Sequence, residues 1–158
     1  MDLHKEPELL GTMMFSNQSI DSLSDAKPDV NHPMSENPRV QQIAKKERFA
    51  GDKNGKAFSE MKQFQLRDGI FEAIIDRFYK DASLIAYGEE NRDWGGAFGV
   101  YKKITDSIPY HRFFNSPISE SATVGSGVGY AMCGGRVIVE LMYADFIGCA
   151  GDEIFNQM

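Results

Sequence analysis

From Ser116 to Arg136 the chain reads SPISESATVGSGVGYAMCGGR, and this stretch limits the fold more than any other. Ser119 is placed to cap a helix, and Glu120 stands in its first turn, where unpaired backbone N–H groups favour a carboxylate. Val124, Val128, Ala131 and Met132 then supply one apolar face at helical spacing. Gly125, Gly127 and Gly129 oppose the helix, each by about 1 kcal/mol relative to alanine, so we expect another helix backbone to approach closely and offset them. The glycines lie inside the helix with no GK[ST] after them, which excludes a phosphate-binding turn. Gly134-Gly135 ends the helix, and Arg136 to Met142 alternates too little for a half-exposed strand, so it reads as buried parallel sheet.

Buried parallel strands require helices over both faces of their sheet, and the chain offers candidates in order. Phe64, Phe71, Ile74, Ile75 and Phe78 recur at helical spacing, with charged residues between them. Leu84 to Tyr87 is a short apolar strand that turns at Gly88. Glu89 to Gly99, EENRDWGGAFG, is acidic and glycine-rich, as suits a loop at a strand end. Val100 to Ser107 fits a short helix, His111 and Arg112 fit a solvated turn, and Phe113 to Asn115 fits a second strand. Tyr143 to Phe146 would be the loop at the third strand's carboxyl end, and Asp152 to Met158 the start of a further helix. Helices and strands alternating in this way predict an α/β parallel sheet covered on both faces. Because the pattern stops within its last helix, we expect an incomplete domain.

Residues 1–62 differ in character. Stretches such as SNQSIDSLSDAKP and NHPMSENP are rich in turn formers, and Arg39 to Phe49 is the single short helix candidate before GDKNG. The lead reads as a linker or arm carrying short docked pieces, with the organised domain at 63–158.

A formal charge of -6 and a pI near 5.1 leave no clustered cations to displace counterions from phosphates, so a nucleic-acid surface is not expected. Cys133 and Cys149 lack metal or redox spacing and read as small buried hydrophobes in a reducing compartment. Neither a signal peptide nor an apolar run of roughly 18 residues is present, and a cytoplasmic protein with no membrane contact is expected. On these residues alone, helix capping is the favoured role of Glu120, and Glu140 and Asp145 read as strand-end or capping carboxylates.

The blocks LIAYGEE, DWGGAFGVYKKI, RFFNSPISESATVGSGVGYAMCGGRVIVELMYADF and GDEIFNQM change that balance. Together, in order from about Gln65 to Met158, they resemble the beta subunit of thiamine-diphosphate-dependent 2-oxo acid dehydrogenases, or the beta portion of an alpha-beta fusion. The resemblance implies the start of the domain that binds the cofactor's aminopyrimidine ring. Glu120 falls on the glutamate of the PISE motif, which shares a proton with a ring nitrogen and favours the imino form that activates the thiazolium. Ile118 and Phe146 match positions that contact the same ring.

The resemblance further implies an alpha subunit or alpha portion that supplies magnesium and holds the diphosphate, beta-beta association, and acyl transfer to a lipoyl acyltransferase. No metal ligand is expected on this chain. Its GDG...N diphosphate signature is absent, so the chain alone is expected to bind no cofactor tightly and to be inert. Gly135-Arg136-Val137 also departs from the family, which commonly has proline after the arginine, and Cys149 stands at an often polar position. The ISESATVG and ELM..DFIG wording resembles the acetoin-cleaving branch, and a non-catalytic interaction domain retaining the fold is the alternative of a different class.

Overall fold

The computed structural model describes residues 25–46, 51–56 and 65–158. Three strands, β1 (Leu84–Gly88), β2 (Phe113–Asn115) and β3 (Arg136–Val139), form a parallel sheet in the order β2-β1-β3. Ala86 of the central strand lies opposite Phe113 on one side and Ile138 on the other. The helices are α1 (Pro38–Ala44), α2 (Leu66–Lys80), α3 (Asn91–Trp94) and α4 (Glu120–Met132). A 3-10 helix (Ala144–Ala150) and a π-helical turn (Glu153–Gln157) follow β3.

The apolar spacing of α2 does what its period requires. Phe71, Ile74, Ile75 and Phe78 are buried, and they join Leu84, Ala86 and Phe113 of the sheet in one core. Each fully buried aromatic of this kind contributes about 2–3 kcal/mol through removal of apolar surface from water. Phe64, the first residue of the expected pattern, lies outside the described residues. Tyr101, Ile104 and Ile108, from the β1–β2 connection, belong to the same core, so that connection runs over the α2 face. The β2–β3 connection is α4, which crosses the opposite face: the Tyr87 hydroxyl reaches Thr123 O at 3.1 Å and Ser126 Oγ at 2.7 Å. The two connections cover opposite faces of the sheet and lead to strands on opposite sides of β1, and the α/β fold is therefore wound both ways about β1.

Part of the lead is built into this core. Ile43 of α1 is fully buried, Asn37 Nδ2 donates to Lys103 O and Ser107 Oγ, and Tyr79 Oη donates to His32 O. Arg39 donates to the carbonyls of Gly99, Val100 and Lys102, lies 4.1 Å from the centre of the Phe71 ring, and pairs with Asp68. Lys46, through its hydrogen bond, and Arg39 together hold the Asp68 carboxyl below the usual carboxylate range. The remainder of the lead, at 1–24, 47–50 and 57–64, lies outside the described residues.

Several local expectations are corrected. The helix expected over Arg39 to Phe49 spans Pro38–Ala44 instead, started by Asn37, whose side chain accepts from Arg39 N and Val40 N. Val100 to Ser107 forms successive turns, because Tyr101, Ile104 and Ile108 must all face the core over a short path. Arg112 is buried, only 3% exposed. Cys133 and Cys149 are exposed, since the segments that carry them lie at the ends of α4 and the 3-10 helix. The third strand is shorter than Arg136 to Met142 and only partly buried, as befits an edge position. The further helix expected from Asp152 is present, as a π-helical turn over Glu153–Gln157.

The glycines of α4 differ from one another. A Cβ on Gly127 would stand 2.7 Å from Val139 Cγ2 and 3.4 Å from the Tyr87 hydroxyl, so this glycine admits the sheet, not a second helix. A Cβ on Gly129 would meet nothing within 4 Å. Gly127→Ala should therefore destabilise the chain by about 1 kcal/mol, overpacking outweighing the better helix propensity. Gly129→Ala should stabilise it by about 0.5–1 kcal/mol. Thermal denaturation of both variants checks the pair, and equal signs would contradict this packing.

Candidate functional site

In a parallel sheet every carboxyl end, and every loop that leaves it, lies along one edge. Ligands of open α/β sheets bind at that edge where the connections diverge, which here is between the ends of β1 and β3. Glu89 and Glu90 follow β1, Asn115 to Ile118 follow β2, and Glu140 to Phe146 follow β3. Glu120 opens α4 from the same edge.

Glu120 is half-buried as the first residue of its helix. The preceding Ser119 is the extended N-cap residue, yet its side chain makes no capping bond. Ser121 Oγ instead donates to Cys149 O at 2.8 Å and contacts Glu153 Oε2 at 3.1 Å, which ties the start of α4 to the segment bearing Phe146. Phe146 is half-buried and meets Tyr143 edge-on at 5.7 Å, and Tyr143 meets Phe98 edge-on at 6.0 Å. Ile118 is 83% exposed on the approach to the helix. Two residues before it, Ser116 Oγ is buried without a hydrogen-bond partner among the described residues, an unmet polar atom of the kind a ligand or partner satisfies.

Glu89 gives the site its charge. Burial, then the charges of Glu120 and Glu90, push its carboxyl above the usual range. Glu89 and Glu120 therefore sense one another's charge at this edge, which disfavours both being ionised at once.

The acidic loop after β1 is fixed more firmly than its composition suggests. Arg92 N donates to Asn115 Oδ1 at 2.7 Å, Arg92 Nη1 donates to Phe113 O at 2.7 Å, and Asn115 Nδ2 donates to Asp93 Oδ2 at 2.8 Å. These bonds join the loops that leave β1 and β2. Asn91 is fully buried, and Glu140 reaches under the loop with its carboxyl pushed up to about 7 by burial. Sequence reasoning leaves Asn91 unassigned and reads Glu140 only as a strand-end or capping carboxylate; the signal for both is a polar residue flanking an apolar strand. His111 is exposed, as expected, with Nε2 3.3 Å from Asp29 Oδ2. Among the described residues no group of three or more His, Cys, Asp or Glu side chains is arranged to hold a metal ion.

A parallel sheet wound both ways about its first strand, with carboxylates and aromatic residues along its carboxyl edge, is the architecture of a doubly wound α/β domain. The family model described as transketolase, pyrimidine binding domain, matches residues 62–158, and the chain belongs to that family. Over 106 residues it is 39% identical to the acetoin:2,6-dichlorophenolindophenol oxidoreductase subunit beta of Cupriavidus necator, covering 61% of this chain and 31% of that protein. It is 35% identical over 96 residues to the mitochondrial pyruvate dehydrogenase E1 component subunit beta of Dictyostelium discoideum, covering 61% and 27%. The mitochondrial 2-oxoisovalerate dehydrogenase subunit beta 2 of Arabidopsis thaliana is 33% identical over 96 residues, covering 61% and 26%. The chain thus spans between a quarter and a third of the length of these relatives. No helix among the described residues is long and apolar enough to cross a membrane.

Proposed function

We propose that the chain forms the aminopyrimidine side of a thiamine diphosphate site in a 2-oxo acid dehydrogenase of the beta-subunit type. The observation that carries this reading is the half-buried Glu120 beside Glu89, at the divergent edge of a pyrimidine-binding-family sheet. The residues fit such a group. Ile118 and Phe146 offer apolar surface for a flat ring, and the half-buried carboxyl of Glu120 can share a proton with a ring nitrogen.

When bound, thiamine diphosphate supplies the thiazolium that acts as the electron sink for decarboxylation of the 2-oxo acid. The chain's own part is to bind and orient. Glu120 holds a proton at a ring nitrogen of the aminopyrimidine, Ile118 and Phe146 fix the plane of the ring, and the tied loops after β1 and β2 narrow the access of water. Magnesium and the diphosphate contacts are assigned to an alpha subunit or the alpha portion of a fusion, so isolated catalysis is not expected. A lipoyl acyltransferase would accept the acyl group. Beta-beta association is supported by the open apolar groove between α4 and β3, lined by Val128, Ala131, Met132 and Val139. We take 63–158 as the organised unit, with the docked part of the lead as its strap, and propose a reducing cytoplasmic compartment, which suits two exposed free thiols.

A second reading, the beta chain of an acetoin-cleaving enzyme, is favoured by the 39% identity to the acetoin relative. Assaying the assembled enzyme with pyruvate, a branched 2-oxo acid and acetoin separates the two. We expect turnover of a 2-oxo acid to exceed that of acetoin by at least about tenfold, a difference of about 1.4 kcal/mol in barrier. The reverse order would assign the acetoin reaction. No turnover of any of the three, with intact assembly, would favour a non-catalytic interaction domain.

A further inference from the structure

The Glu140 carboxyl lies at the point where the sheet's windings diverge. Glu140 N continues the ladder by donating to Tyr87 O at 3.0 Å. Its side chain then runs beneath the loop that leaves β1. A Cβ on Gly96 (φ +77°) would stand 2.6 Å from Glu140 Oε2 and 2.8 Å from Oε1, and one on Gly88 would stand 2.8 Å from Glu140 Cβ. The positive φ of Gly96 requires glycine beside the carboxyl, and the absence of a Cβ on Gly88 lets β3 approach at Glu140. Asn91 bridges the two, with the amide orientation that satisfies both neighbours: Nδ2 donates to Glu140 Oε2, and Oδ1 accepts from Gly88 N at 3.2 Å.

This contact closes a strained reversal. Glu90 adopts a left-handed conformation (φ 57°), which costs a non-glycine residue about 1 kcal/mol and persists only when its surroundings impose it. Its carbonyl accepts from Trp94 N and Gly96 N, and Tyr101 N donates to Gly95 O. Glu89, the carboxylate that feels the charge of Glu120, is the residue between Gly88 and this turn.

We propose that Glu140 is a positioning residue that fixes the turn over residues 88–101 and, through Asn91, sets the Glu89 carboxylate beside Glu120. The proposal rests on the thiamine diphosphate reading only for the role of Glu120.

The groups around Glu140 make this placement sensitive to its charge. Strand β1 presents Gly88 and the Tyr87 carbonyl, α3 presents the Asn91 amide, and the following loop presents Gly96 and Tyr101. Tyr101 is the titratable neighbour, its hydroxyl pushed up by burial and by Glu140, and among the described residues no cation pairs with the carboxyl. Burial alone raises Glu140 to about 7. A raised carboxyl favours the native state while protonated, and this contribution is lost as pH rises from the ordinary carboxylate range through about 7.

Hydrogen exchange of the Trp94, Gly96 and Tyr101 amides in the full chain, corrected for intrinsic pH dependence, tests the assignment. In the wild type their protection should fall about tenfold as pH rises from about 6 to about 8. Glu140→Gln keeps an acceptor for Asn91 without a charge and should hold the protection constant, whereas Glu140→Ala should show low protection at both values. In the assembled enzyme the wild type should show a fall in kcat over the same range, and Glu140→Gln should lose it. Identical exchange profiles in the wild type and Glu140→Gln, or a flat wild-type profile, would overturn the proposal. Failure of the thiamine diphosphate reading looks different: no variant would turn over, while the exchange profiles would still separate.

Discussion

Glu120→Gln should lower kcat of the assembled enzyme by about a thousandfold, within the range for removing a positioned acid or base. The substitution keeps the size of the side chain and its place at the start of α4, where Ser121 already ties the helix to the following segment. Folding and assembly should therefore survive. An amide cannot hold or release the proton that the ring nitrogen needs, so the loss should fall on kcat more than on KM. A capping carboxylate would behave otherwise, because replacing it costs a few tenths of a kcal/mol to about 1 kcal/mol of stability and leaves turnover alone. Stopped-flow or steady-state rates beside a thermal melt distinguish the outcomes.

Arg112→Met should destabilise the chain by about 3 kcal/mol, enough to lower the melting temperature by about 10 °C in a domain of this size. The guanidinium donates to four backbone carbonyls: Leu84 at 3.2 Å, Asp29 at 2.8 Å, Phe78 at 3.0 Å, and Asp81. It also lies 5.2 Å from the centre of the Phe78 ring. One side chain thus joins the end of α2, the start of β1 and the docked lead. Methionine retains most of the apolar contact but leaves these acceptors unmet in a buried setting, and that penalty dominates. Arg112→Lys should recover only part of the loss, since an ammonium lacks the planar fork that spans several carbonyls. A melt within about 2 °C of the wild type for Arg112→Met would contradict this account.

What the sequence discloses follows from which groups carry each interaction. The core was legible because apolar period alone set it: Phe71, Ile74, Ile75 and Phe78 had one face to bury, and they bury it. The parallel order was legible from the alternation of helices and strands. Arg112 was not, because its partners are carbonyl oxygens, which every residue carries and no sequence distinguishes. Val100 to Ser107 misled for a related reason, its spacing serving a chain of turns as well as a helix. Glu140 read as an ordinary strand-end carboxylate until Gly88, Gly96 and Asn91, distant from it in sequence, were seen to enclose it. The small-residue helix was expected to admit another helix backbone, but the approach at Gly127 comes from Val139 of the sheet and Gly129 meets nothing within 4 Å.

Calorimetric titration of thiamine diphosphate and magnesium tests the central claim most directly. The titrated protein is the chain joined to its diphosphate-binding partner, or a longer chain carrying both parts. We predict saturable binding by the wild-type assembly, and binding weakened about 30- to 100-fold by Glu120→Gln, as loss of a hydrogen bond to a charged group requires. No binding by the intact assembly, or equal affinity with glutamic acid and glutamine at position 120, would contradict it.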